Sequence, residues 1–315
     1  MKYRQFPKHW VLVTLIAATQ LACTRTDDLP PKLAPTDIAP KVELVAVPFH
    51  PQAERDDCGP AALAMMLGWT GLATTPKELA PKVYTPGREG TLQADIVQAI
   101  RREGRLGIPV ESLQDIITEL DAGNPVLVLQ NLGLKRWPIW HYAVAMGYDL
   151  ERQTLFLHSG RQATSPLSFS AFQQSWEDSD YWALTVTRPD DLPATGGEIE
   201  ILNAASGLEE TGQGDAATLA YGALLERWPD NLTALMGWGN AQFSEGEYLV
   251  ASQAFQHAVT LHPFAAEAWN NLAYSLMKQE RLNEAAKAAK EAIKRGGPHQ
   301  AAAKATLLEI EAKRG

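Results

Sequence analysis

The C-terminal part of the chain repeats itself with a period of 34 residues, and that period restricts the fold more than any other feature. Pro229 in ERWPDN and Pro263 in TLHPFA occupy equivalent positions, and Gly297-Pro298 closes the next unit. The same offset relates Leu235 to Trp269, Trp238 to Leu272, Gly239 to Ala273, Ala251 to Ala285 and Ala258 to Ala292. Large and small residues at fixed positions suit paired helices, because a small side chain lets a neighbouring helix come close. One such unit cannot bury its apolar face alone, so copies stack. The register gives two complete units, a partial one at 216–228 before them, and a closing helix over 300–313.

The period and the alanine-rich register resemble the tetratricopeptide repeat (TPR). That resemblance implies an all-α domain over 215–315 whose concave face binds a protein partner or an extended peptide. Residues 189–214, rich in Gly, Pro, Asp and Glu, read as a linker in front of it.

The other end of the chain has export character. Lys2, Arg4 and Lys8 precede the apolar run WVLVTLIAAT, which is shorter than the roughly 20 residues of a membrane span. Residues 1–22 therefore read as a signal peptide. Leu21-Ala22-Cys23 resembles a bacterial lipobox, although Gln20 stands where such boxes usually carry Leu. The resemblance implies lipidation of Cys23 and attachment to a membrane. Thr24, in place of an aspartate after the cysteine, resembles the outer-membrane sorting pattern of enteric bacteria. Residues 23–42, with DDLPPKLAPTDIAPK, have the composition of an extended tether.

Between tether and linker, 43–188, helical signals come first and strand signals later. VELVAVPFHPQ suggests a strand or extended arm. Helices are expected after Asp57, over 76–83, 91–103 and 112–120, and strands over 125–130, 141–148, 154–158 and 181–186, with a helix at 169–176 among the last. This is an α+β layout with a small antiparallel sheet.

Only two cysteines occur, Cys23 and Cys58. If the first carries lipid, the second has no intramolecular disulfide partner, and a lone exported thiol is either inert or used. Two cysteines also exclude a four-cysteine zinc site, and no HExxH helix is present. Cys58 begins an expected helix, where the helix dipole and unsatisfied amide groups favour the thiolate. Gln52, six residues earlier, can turn its side-chain amide to the same point, beside the Cys58 backbone N–H, as a pair of oxyanion donors.

The stretch Gln52-Ala-Glu-Arg-Asp-Asp-Cys58-Gly-Pro-Ala-Ala-Leu63 resembles the C39-type cysteine peptidases of the papain-like group. The resemblance implies a papain-like fold with Cys58 as nucleophile, Gln52 as oxyanion donor and His141, opening HYAVAMGYD, as general base. It also implies an aspartate on the next strand to orient the histidine. TLFLHSGR places Ser159 there, and a neutral hydroxyl stabilises an imidazolium less than a carboxylate does. Asp149 is the alternative orienter.

Other features carry less. Asp56 and Asp57 suit a helix cap better than a metal pair. Gly212-Gln-Gly214 lacks the context of a nucleotide loop. Trp69, Trp137, Trp140, Trp176 and Trp182 divide between packing and a substrate groove. A net charge of -9 excludes a nucleic-acid partner, which needs a basic surface. The expected function is cleavage of a protein or peptide substrate on the periplasmic side of a bacterial envelope, at the outer membrane, without a cofactor. The alternatives are a catalytically silent scaffold and a papain-like amidase or acyltransferase.

Overall fold

The structure, a computed structural model, describes residues 38–52, 57–85 and 90–314. The expected signal peptide, Cys23 and most of the expected tether lie outside the described residues, as does Asp56.

The tether ends earlier than its composition suggests. Strand β1 (Lys41–Glu43) already belongs to the sheet, and the Ala39 N–H donates to the Asp121 carboxylate at 3.0 Å. Helix α1 (Cys58–Trp69) follows, with every residue from Gly59 to Leu67 buried. It is apolar on all sides because it forms the centre of the domain. Helix α2 (Pro76–Val83) starts at a capping box, in which the Thr75 hydroxyl accepts from the Glu78 N–H while the Glu78 carboxylate accepts from the Thr75 N–H. Short strands β2 (Tyr84–Thr85) and β3 (Gly90–Thr91) pair with each other and lead into α3 (Gln93–Arg102).

Strand β4 (Leu106–Pro109), helix α4 (Leu113–Asp121) and strands β5 (Val126–Asn131), β6 (Trp140–Asp149), β7 (Thr154–Ser159) and β8 (Gln162–Ser168) come next. Helix α5 (Phe169–Glu177) and strand β9 (Ala183–Thr187) complete the domain. Ser112 and Ser168 cap α4 and α5 through their hydroxyls. The main sheet runs β4-β9-β5-β6-β7-β8, and all its pairs are antiparallel. β6 is long enough to pair with β5 along its first half and with β1 near its end. At that end Gly147 admits β1, since a Cβ there would stand 2.4 Å from the Val42 carbonyl oxygen. α1 packs on this sheet, joining Leu63, Met65 and Leu67 to Leu127, Val144 and Leu184 in one core. The α+β expectation is met. β4 and β8 were not expected: LGIP is short, and QATSPLS is a largely exposed edge strand whose alternation is mostly polar.

Helices α6 (Glu198–Glu210) and α7 (Gly214–Arg227) precede α8 (Leu232–Ser244), α9 (Tyr248–Leu261), α10 (Ala266–Lys278), α11 (Leu282–Arg295) and α12 (Gln300–Arg314). α6 corrects the sequence reading twice. It occupies the stretch read as a linker, and it pairs with α7, so the first repeat unit is a full helix pair. The acidic and glycine-containing composition of EIEILNAASGLEE hid a helix whose Ile201, Ala204, Ala205 and Leu208 are buried. These residues share a core with Leu106 and Ile108 of β4, so the repeats are packed directly on the sheet edge. The 34-residue register holds in detail. Ala251, Ala258, Ala273, Ala285 and Ala292 are buried, and a Cβ on Gly239 would meet the Phe255 ring at 2.6 Å.

The joint also holds a buried carboxylate that no sequence motif singles out. Glu119 of α4 is fully buried, and it accepts from the Thr195 N–H and hydroxyl, each at 2.5 Å, and from Asn124 at 2.8 Å. Several donors on one carboxylate offset the cost of removing it from water.

Candidate active site

The site lies where the start of α1 meets the first residues of β6. Cys58 is the first residue of α1 and is half-buried. The opening N–H groups of a helix have no intrahelical acceptor, which makes this a favourable place for a thiolate. Pro60 suits the first turn, having no N–H to leave unsatisfied. Asp57 stands at the N-cap, but its backbone is already helical and its side chain does not make the capping hydrogen bond expected of it. Gly59 is dictated by space: a Cβ would fall 2.4 Å from Thr91 Oγ1 and 2.5 Å from Thr91 Cβ.

Gln52 is 8% exposed and is held at both ends. Its backbone N–H donates to the Gly160 carbonyl at 3.0 Å, and its side-chain Nε2 donates to the Tyr142 carbonyl at 3.4 Å. The amide nitrogen carries two hydrogens, so this contact occupies one and leaves the second available. Tyr142 in turn donates its hydroxyl to the Thr91 carbonyl at 3.2 Å, tying β6 to β3. Burial, and then the neighbouring Cys58 and Asp95, push the Tyr142 phenol well above its ordinary pKa, so it remains a neutral donor.

His141 sits second in β6, opposite Gln130 of β5. Its Nε2 lies 2.9 Å from Ser159 Oγ. Burial lowers the pKa of the ring below its ordinary value, because the charged form loses hydration. A serine hydroxyl can donate or accept, so it orients the ring without fixing the tautomer as a carboxylate would. Gln52, Cys58 and His141 line one cleft of 760 Å³, with Thr91, Trp140 and Asp178 among its other walls.

Asp149 is not part of this cleft. It ends the strand that His141 begins, roughly 27 Å away at about 3.4 Å per residue, and there it accepts the Arg152 N–H at 2.9 Å. The tryptophans divide. Trp176 is buried and donates to the Trp182 carbonyl, while Trp69 and Trp182 pack against the core. Trp140 is 48% exposed in the cleft wall, and Trp137 is 67% exposed beside it. Thr91, Tyr142 and Gly160 were not singled out from the sequence. Only Tyr142 carried a signal, as the neighbour of His141, and strand pairing was needed to read it.

The repeat helices hold smaller concavities. One of 470 Å³ is lined by Glu209, Met236, Asn240 and Glu267, and one of 480 Å³ by Leu225, Leu235 and Trp238; neither contains a cysteine. No group of His, Cys, Asp and Glu suited to a metal ion occurs among the described residues.

Comparison with known proteins agrees with this division. A model of the peptidase C39-like family matches residues 44–183, and a tetratricopeptide repeat model matches 202–266 and 237–301. Among solved structures, a C39-like peptidase from Bacillus anthracis is 17% identical over 46% of this chain and 96% of its own, with a TM-score of 0.40. The peptidase domain of Streptococcus ComA, a bi-functional ABC transporter of a quorum-sensing pathway, is 23% identical over 44% of this chain and 97% of its own, with a TM-score of 0.36. The first TPR domain of human RPAP3 is 19% identical over 36% of this chain and 90% of its own, with a TM-score of 0.34. No curated protein matches the chain. Taken with the helix-then-sheet layout and the stacked helix pairs, the two family models give a chain that carries a C39-like peptidase domain over residues 44–183 followed by tetratricopeptide repeats.

Proposed function

We propose that the protein is a cysteine peptidase of the bacterial envelope, with Cys58 as nucleophile and the repeats as the part that recruits a protein substrate or partner. The supporting observation is the shared cleft: Gln52, Cys58 and His141 line one cavity, and His141 is held through Nε2 by Ser159. In this reading Nδ1 takes the Cys58 proton as Sγ attacks the substrate carbonyl. The Gln52 amide and the Cys58 N–H stabilise the oxyanion. Collapse of that intermediate breaks the peptide bond, and the proton passes from His141 to the leaving amine. A thioester on Cys58 remains, and water activated by His141 releases the acid. Ser159 positions the ring and accepts from Nε2–H while His141 is charged. Burial, which lowers the pKa of His141, makes its charged form a readier proton donor to the leaving amine.

Export through residues 1–22 and anchoring through lipid on Cys23 belong to the same reading, with the soluble part facing the periplasm from the outer membrane. The silent-scaffold reading is favoured by one observation, the hydroxyl of Ser159 where the C39 pattern has a carboxylate.

The test is incubation of the protein with a library of proteome-derived peptides, followed by mass spectrometry of new termini. Cleavage by the wild type that disappears in Cys58→Ala supports the proposal. Identical peptide populations with both proteins support the scaffold, and release of ammonia or acyl exchange without new peptide termini supports an amidase or acyltransferase.

A further inference from the structure

The connection between β5 and β6, residues 132–139, leads directly into His141 and presents apolar side chains to solvent. Leu132 is 55% exposed, Leu134 67%, Trp137 67% and Ile139 47%, and Trp140 at the head of β6 is 48% exposed. Clustered large apolar residues on a surface mark an interaction site, whereas scattered ones do not.

The loop is rigidly built. Asn131 Oδ1 accepts from the N–H groups of Gly133 and Ile139, both at 2.9 Å, and Asn131 Nδ2 donates to Asp178 at 2.8 Å. Leu132 donates to the Ile139 carbonyl at 2.9 Å, and Trp137 to the Leu134 carbonyl at 2.8 Å. Gly133 is required by this closure, because a Cβ would lie 2.4 Å from the Trp137 carbonyl oxygen. In the segment that follows Asp178, Asp180 and Tyr181 adopt left-handed backbone conformations at φ 54° and 56°, which non-glycine residues rarely adopt. Tyr181 is 44% exposed. Strain of this kind gathers where a side chain must be held in one place.

We propose that the 132–140 hairpin and Tyr181 form the substrate-gripping surface of the cleft, fitted to an extended peptide segment with bulky apolar or aromatic side chains beside the scissile bond. This rests on the peptidase reading and names the substrate class for the same site. Continuity decides the occupant. Pro138, Ile139 and Trp140 line the cavity that contains Cys58, so the same hairpin that exposes Leu134 and Trp137 also forms part of the nucleophile's cleft. Lys135 and Arg136 at the turn resemble a membrane-interface pattern, but Lys135 is paired with Asp178 at 3.5 Å and Arg136 stacks on Trp137. Asp178 and Asp180 on the rim would oppose an anionic bilayer, and a peptide segment meets no such penalty.

The experiment labels Cys58 of the full chain with two epoxysuccinyl probes, one bearing leucine and tryptophan on both arms and one bearing serine and asparagine. Iodoacetamide serves as the control, and the Cys58 peptide is quantified by mass spectrometry so that Cys23 does not interfere. The apolar probe is expected to react about tenfold faster in the wild type, the factor that burial of one large side chain supplies. In a Leu134→Ser, Trp137→Ser variant that advantage should fall below about threefold while the iodoacetamide rate is unchanged. Equal rates for the two probes in the wild type, or an advantage that survives in the variant, overturn the proposal while leaving the peptidase reading intact. Binding of the wild type but not the variant to phosphatidylglycerol vesicles, with equal probe rates, overturns it in favour of a membrane contact. Slow iodoacetamide labelling together with inertness to both probes overturns it along with the peptidase reading.

Discussion

Replacing Ser159 with aspartate tests how the histidine is tuned. Ser159 Oγ lies 2.9 Å from His141 Nε2, so a carboxylate there would stand about 3–4 Å from the imidazolium charge. At an effective dielectric near 20 the attraction is about 4–5 kcal/mol. Desolvating the new carboxylate opposes it, and the net effect of a close opposite charge is a rise of about 1–3 pKa units. In the present chain burial holds His141 below its ordinary value, with a hydroxyl rather than a carboxylate at Nε2. Ser159→Asp should lift it to or above about 6.5, and Ser159→Ala should leave it low. The assay is NMR titration of the His141 ring protons in a Cys58→Ala background, which removes the coupled titration of the thiol. With Cys58 restored, peptide cleavage at pH 6 should rise about tenfold or more in Ser159→Asp. A His141 midpoint that does not move, or moves down, would refute the placement of this residue against Nε2 as the control on the base.

Gly59→Ala should destabilise the first domain by about 1–3 kcal/mol in chemical denaturation, since its Cβ would overlap Thr91, and Thr91→Gly in the same chain should recover most of the loss. Glu119→Ala should cost about 3 kcal/mol or more by removing the acceptor of the Thr195 and Asn124 donors, read as a lower thermal midpoint with earlier proteolysis near residue 195. Because the folded-state pKa of His141 lies below the unfolded value of about 6.5, the unfolded chain takes the proton first on acidification. Stability therefore rises with pH between the two values and is lost as pH falls below about 6.5. His141→Gln should remove that part of the slope between pH 7.5 and 5.5; an unchanged slope would mean that the ring is not desolvated.

Much of this was legible in the chain because the relevant signals are local. The apolar run VLVL of β5 and the proline and alanine register of the repeats are read directly along the chain, and the elements stand where those patterns put them. The candidate site residues were named from one motif and one strand head. The hydrogen bond between Ser159 and His141 depends on β6 and β7 lying side by side, which sequence spacing could only imply. What escaped depends on tertiary context. α6 looked like a linker because four of its 13 residues are glutamates at its two ends and it contains a glycine, and its apolar stripe finds its partner only when Leu106 and Ile108 are present. β8 has no apolar run because it is an edge strand. Glu119 gave no signal because a buried carboxylate is indistinguishable in sequence from a surface one.

The central claim is that Cys58 is a nucleophile activated by His141. It is tested most directly by the rate of Cys58 alkylation with iodoacetamide as a function of pH, measured at the Cys58 peptide in wild type and in His141→Ala. The account expects a wild-type midpoint well below the ordinary thiol value of about 8.5, with fast reaction persisting below pH 7 and lost in the variant. An ordinary thiol profile that is indifferent to His141 would contradict it and leave a peptidase-like scaffold that carries protein-binding repeats.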